Sequence, residues 1–225
     1  MVAGLPPGER AEAAPVQEYG RVALTWPDGS PVSCTALEAG REFIFFYPYR
    51  STPCFLLRLD APVVGGMALS GSEGRTYRWQ GGVGPDRAVV AYSAICAHKL
   101  SHPSRAVSFI GYRPQAVGFL VDDNRIERRA GVIQCCSEHS IYDPARGAAV
   151  LAGPAPHPLA AVALEETDSG LMATAVYGEP VFDRYFERFG YRLGLEFGAD
   201  HVREQVADSS VVQPTETFTR QQIQC

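Results

Sequence analysis

What this 225-residue sequence has little of narrows its function first. It has no block of lysine and arginine: 20 basic residues face 25 acidic ones, for a formal net charge of −5. A phosphate-binding protein would carry a basic stripe, so no nucleic-acid partner is expected. Long apolar runs are missing too. The most apolar stretch, Phe43 to Leu59, is broken by Pro48, Arg50, Pro53 and Arg58 and is short for a membrane span. A soluble chain without a transmembrane segment is expected, with peripheral membrane association left open. The opening residues MVAGLPPGERAEAAP lack an apolar core behind a basic start, so they do not read as a secretory signal. As written, the chain is expected in the cytoplasm, or in the periplasm or at a membrane periphery if a signal or anchor is supplied elsewhere. Gly65-Gly66 and Gly81-Gly82 have no lysine and Ser/Thr behind them, which excludes a phosphate-binding loop. Asp122 and Asp123 are neighbouring carboxylates that read as a solvated turn, and no stand-alone catalytic constellation emerges.

What is present is an ordinary globular composition, 46% apolar and 20% charged, in a chain long enough for one extended domain or two small ones. Residues 1–18 are rich in Pro, Gly, Ala and Glu and read as a flexible N-terminal arm. From residue 19 to 178, short runs rich in Val, Ile, Phe, Tyr and Thr, such as RVALTW, EFIFFYPY, CFLLRL and RAVVAYSAI, alternate with Gly, Pro and Asp. Runs of that length with frequent turn signals predict an antiparallel all-β domain. Residues 179–225 differ. Phe182, Tyr185, Phe186 and Phe189 share one helical face with charged residues between them, which predicts an amphipathic helix ending at Gly190, followed by a tail.

The six cysteines are even in number, yet their placement does not suggest three disulfides. Cys34, Cys54 and Cys225 stand alone, and the first two read as buried free thiols. Cys96, Cys135 and Cys136 each lie within a few residues of a histidine. Two segments carry the chemistry: ICAHKLSHP, with Cys96 and His98, and QCCSEHSIYDPARGA, with Cys136 and His139. One thiolate and one imidazole from each of two loops suit a binuclear iron–sulfur centre, with thiolates on one iron and imidazoles on the other. A structural zinc site is the alternative for a Cys/His quartet, but C-x-H is a tight spacing for two ligands on one small ion.

With its C-x-H box, its C-x-x-H box, the following Tyr142, Asp143 and Gly147, and the loop GPAPHPL at 153–159, the sequence resembles the Rieske iron–sulfur protein family. The loop is most similar to that of the quinol–cytochrome c reductase branch. The resemblance implies an antiparallel β-sandwich with a small cluster-binding lobe at about 93–158 and a helical C-terminal extension. It implies a 2Fe-2S cluster held by Cys96, His98, Cys136 and His139, with Ser140, Tyr142, Gly153, Pro154 and Pro156 around it. The resemblance further implies a one-electron carrier, an electron-transfer component of an oxidoreductase rather than a stand-alone catalyst. The expected partner is a redox protein, such as a cytochrome or oxidoreductase subunit, or a quinol. Subunits of quinol-oxidising complexes and of complexes oxidising an inorganic substrate are the alternatives within that class. A zinc-stabilised interaction domain is the alternative outside it.

The sequence departs from the family pattern in four places. The extra cysteine of each box, which in the family joins the loops by a disulfide, is replaced by Ser101 and Glu138, so that bridge is expected to be absent. Residues 102–133 between the boxes are long and read as an inserted hairpin. Ser140 and Tyr142 fall one residue early when counted from His139 but in register when counted from Cys135. Family spacing nevertheless favours Cys136 as the ligand, with Cys135 a neighbouring thiol. Finally, no N-terminal anchor of the respiratory kind precedes the domain in this sequence.

Overall fold

The structure is a computed structural model that describes residues 16–71, 75–121 and 125–225. The expected arm lies outside the described residues up to 15, as do Asp122 and Asp123. The first half of the chain forms β1 (Gln17–Thr25), β2 (Glu42–Phe46), β3 (Pro53–Arg58), β4 (Ala68–Ser70), β5 (Thr76–Arg78) and β6 (Val89–Ser93). Then come β7 (Val107–Ser108), β8 (Ile110–Arg113), β9 (Val117–Leu120), β10 (Ile126–Arg129), β11 (Val132–Cys135), β12 (Ser140–Asp143) and β13 (Ala149–Ala152). The chain closes with β14 (Ala161–Thr167), β15 (Gly170–Tyr177), helix α1 (Phe182–Phe197), β16 (Ser209–Val211), β17 (Gln213–Pro214), helix α2 (Thr215–Phe218) and β18 (Gln221–Gln222).

An eight-stranded sheet in the order β16-β1-β15-β14-β6-β3-β2-β17 is the frame, antiparallel except where β16 runs parallel to β1. Its central strands are apolar almost throughout because both faces are buried. Phe43, Phe45, Cys54, Leu56, Val89 and Ala91 face one core, shared with Val22, Leu24 and Ala173 of the far strands and with the aromatic side of α1. Ile44, Phe55, Leu57, Val90 and Tyr92 face a second core, closed by the four-stranded sheet β13-β12-β11-β8. The smaller sheet supplies Ile110, Tyr112, Ile133, Cys135 and Tyr142 to that second core. The fold is thus all-β, as expected, with the smaller sheet standing as a lobe over one face of the larger.

The inserted segment does contain a hairpin, β9 with β10, but β8 belongs to the small sheet, paired with β11 from Val132↔Arg113 to Cys135↔Ile110. Helix α1 is longer than the expected one. It passes through Gly190 and ends at Gly198, whose N–H donates to Gly194 O at 3.0 Å. A helical glycine costs about 1 kcal/mol relative to alanine. The stripe Phe182, Tyr185, Phe186 continues to the buried Leu193, whose burial contributes about 1.5–3 kcal/mol. The continuing apolar stripe therefore outweighs the glycine.

Beyond α1 the tail is strapped across the domain. β16 lies beside β1, β17 pairs with the edge strand β2, and β18 pairs with β7. The chain then ends in a disulfide between Cys136 and Cys225. Among the described residues no helix is long and apolar enough to cross a membrane.

Candidate metal centre

The two boxes occupy neighbouring loops at the end of the lobe. The first follows β6, where Leu100 takes a left-handed conformation (φ 61°). Leu100 N donates to Cys96 O at 3.0 Å and Cys96 N to Ser101 O at 2.9 Å, which closes a compact turn with the Cys96 side chain buried. The second box is the turn of the β11–β12 hairpin. Cys135, the last residue of β11, lies directly opposite Ser140, the first of β12. Residues 136–139 make the turn, with His139 left-handed at φ 57°.

Cys96 and Cys135 are both buried and their side chains are hydrogen-bonded to each other. That bond pulls the Cys96 thiol below its ordinary range and pushes Cys135 above it, so the pair gives up one proton readily and holds the other. Tyr142 completes the pocket floor. Its hydroxyl lies 3.3 Å from Cys96 Sγ and accepts from Ala97 N at 3.3 Å. Burial, and next the neighbouring Cys96, push the phenol upward, so it stays a donor.

Cys136, the ligand expected from spacing, stands outside this arrangement. It is bonded to Cys225, and a sulfur in a disulfide is no thiolate ligand. The side chain that meets Cys96 belongs to Cys135, which stands four residues before His139, one more than in the C-x-x-H spacing. Successive residues on a strand point to opposite faces, hence only one of the two vicinal cysteines can reach Cys96. Cys225, which stands alone in the sequence, proves to be a disulfide partner, whereas Cys34 and Cys54 are free and buried as expected.

No disulfide joins the two loops. Ser101 Oγ instead lies 2.6 Å from Ser137 Oγ, and Lys99 Nζ reaches Glu138 Oε1 at 2.9 Å. The hydroxyl partner of Ser101 is Ser137 rather than Glu138, because the longer turn shifts each position by one. His98 is half-buried, with Glu138 Oε2 3.6 Å from its Nδ1. His139 is exposed at the tip of its turn. Among the described residues no three His, Cys, Asp or Glu side chains converge as a ready-made metal site. Two thiols are brought together, and the two imidazoles stand on the adjoining loops.

Two buried polar atoms here make no hydrogen bond: His98 Nδ1, whose nearest carboxylate oxygen, Glu138 Oε2, stands 3.6 Å away, and Ser140 Oγ. Leaving such groups unpaired costs about 1–3 kcal/mol each. Both fit a group seated against Cys96 and Cys135, the imidazole nitrogen as a ligand and the hydroxyl as a donor.

The motif residues around the centre have structural causes. Asp143 is buried, accepts from Ala145 N at 3.0 Å and pairs with Arg129 Nη2 at 2.6 Å. Gly147 is left-handed at φ 66°, and a Cβ there would stand 2.4 Å from Leu69 Cδ1. Gly153 opens the proline loop at φ 85°, and a Cβ there would stand 2.5 Å from His139 O and 2.7 Å from Ser140 Cα. The loop therefore lies against the backbone of the second box, while Pro154 and Pro156 face outward. His157 is buried with Nδ1 2.9 Å from Pro158 O. His102 is also buried, edge-on to Tyr185 and Phe189 of α1. Arg113 is a further residue of this region, a buried arginine whose Nη2 donates to Ile223 O at 2.7 Å and whose Nε donates to Gln134 Oε1 at 3.2 Å. No sequence signal marked it.

Site and fold together define an all-β protein with a buried dithiol flanked by two histidine-bearing loops. No family model matches the chain. The structure is similar to the crystal structure of the soluble domain of the Rieske protein II (soxF) from Sulfolobus acidocaldarius, with a TM-score of 0.42 and 24% identity over 70% of this chain and 77% of that one. A TM-score of 0.42 is too low to carry an inference, so the functional reading rests on this chain's own residues.

Proposed function

We propose that the protein is a one-electron carrier whose Cys96, Cys135, His98 and His139 hold a Rieske-type 2Fe-2S cluster. The observation that carries this reading is the buried Cys96–Cys135 pair with the orphaned His98 Nδ1 and Ser140 Oγ at the same site. A single zinc ion would need all four ligands to converge. Two thiols together and two imidazoles on adjoining loops suit a binuclear group better. Such a cluster supplies reversible one-electron transfer at roughly −150 to +300 mV.

The chain's own residues exclude water from the thiol side and leave the histidine side open to a partner. Cys96 and Cys135 sit in the second core, Tyr142 presents its hydroxyl to Cys96, and the proline loop beginning at Gly153 backs the second turn. The exposed His139 is the point of closest approach for a donor or acceptor, which we take to be a redox protein or a quinol. Turnover of a substrate would then belong to that partner. Subunit roles in quinol-oxidising or inorganic-substrate-oxidising complexes remain versions of this reading. The Cys136–Cys225 disulfide favours an oxidising compartment over the cytoplasm.

Iron and acid-labile sulfide analysis of the purified protein, with EPR before and after reduction, tests the proposal. About two irons and about two sulfides per chain, with a signal only after reduction, are expected. Stoichiometric zinc without sulfide would refute it.

A further inference from the structure

The sequence offers two cysteines for one ligand position, and something must choose between them. Cys135-x-x-x-His139 and Cys136-x-x-His139 are both present, and nothing in the pattern of β11 separates them, since Val132, Ile133, Gln134 and Cys135 are all buried. A strand buried on both faces has no polar side to set its register, and a slip of one residue exchanges the faces of every side chain. Such a slip would carry the Cys136 sulfur to the place of Cys135 and shorten the turn to the two-residue spacing.

Three contacts oppose the slip, and all involve Cys136 or the chain end. Cys136 N donates to Phe109 O at 2.6 Å, continuing the β11–β8 ladder past Cys135. The buried Arg113 donates through Nη2 to Ile223 O at 2.7 Å and places the same nitrogen 3.6 Å from Cys136 Sγ. The tail holding Cys225 is itself fixed, with Ile223 N donating to Ser108 O at 2.9 Å beside the β18–β7 pair. In the disulfide each sulfur is bonded to the other and carries no proton, so Cys136 has neither a thiol nor a thiolate to offer iron.

We propose that the Cys136–Cys225 disulfide selects Cys135 as the ligand by taking the competing Cys136 thiol out of reach of the cluster. The inference rests on the proposed cluster ligation. Cys225 and Arg113 are positioning residues in this scheme, since they act through Cys136.

The test compares three full-length proteins assembled with cluster: wild type, Cys225→Ser, and Cys136→Ser/Cys225→Ser. Each is read by iron per chain and by the number of species in the EPR spectrum after reduction. Wild type is expected to give one species. Cys225→Ser, with a free Cys136 thiol, is expected to give a second species holding at least about a tenth of the spins, or a comparable loss of iron. The double variant lacks the cross-link equally but has no competing thiol, and it is expected to return to one species. A spectrum of Cys225→Ser identical to wild type overturns the proposal. So does a double variant as heterogeneous as the single one, because the disulfide would then be a brace without a selecting role. A wild-type protein without iron and sulfide overturns the cluster reading itself, which separates that failure from this one.

Discussion

Glu42 gives the protein a pH-dependent stability of a size that can be measured. It is a buried carboxyl on β2. Its Oε2 accepts from Tyr112 N, while Oε1 has no partner. Burial pushes its pKa from 4.5 up to about 7, against the opposing pull of the Tyr112 N–H, Thr215 and the Arg113 guanidinium, while Glu216 adds to the rise. The folded state thus holds a proton that the unfolded chain has released. Stability from this group is complete below about pH 4.5, declines as pH rises, and is gone above about pH 7. A gap of that width corresponds to about 3 kcal/mol. Glu42→Gln keeps an acceptor for Tyr112 N and removes the titration. Urea unfolding from about pH 5 to about pH 8 is expected to show wild-type stability falling relative to the variant by up to about 3 kcal/mol, with the two nearly equal at the acid end. Parallel pH profiles for the two proteins would refute the assignment of that proton to Glu42.

Three further perturbations follow from the same contacts. Reducing the Cys136–Cys225 bond opens a link across 89 residues, for which loop-closure entropy gives about 4.6 kcal/mol; denaturation with and without a phosphine reductant should show a large part of that loss, and unchanged midpoints would contradict it. Gly153→Ala drives a Cβ into the backbone of His139 and Ser140 at a positive φ, so a loss of about 1–3 kcal/mol in thermal unfolding is expected, together with reduced iron retention. Tyr142→Phe takes the acceptor from Ala97 N and the hydroxyl from Cys96, with an expected cost of about 1–3 kcal/mol in chemical denaturation and little change in secondary structure by circular dichroism.

Much of this was legible in the residues because local chemistry decided it. The β segments announced themselves by length and turn residues, and the aromatic face of α1 by its spacing. The two boxes were visible because thiols and imidazoles are rare and sat close together. What stayed hidden depended on distant parts of the chain. That Cys135 meets Cys96 while Cys136 is bonded to Cys225, 89 residues away, is not written in the local spacing. Spacing alone favoured Cys136, and the trace of the other arrangement was that Ser140 and Tyr142 fall in register only when counted from Cys135. Gly190 misled for a similar reason: the helix runs on through it because its apolar stripe continues to the buried Leu193. Arg113 and Glu42 were invisible because a buried charge looks like a surface charge until its surroundings are known.

In the proposed function, two histidines and two cysteines of this chain share one iron–sulfur group. Pulsed EPR on the reduced protein labelled with nitrogen-15 histidine tests it most directly. Two inequivalent histidine nitrogen couplings are predicted, each lost when His98 or His139 is replaced, with Cys135→Ser abolishing the signal. A cluster signal without histidine coupling, or one that survives Cys135→Ser unchanged, would contradict the account.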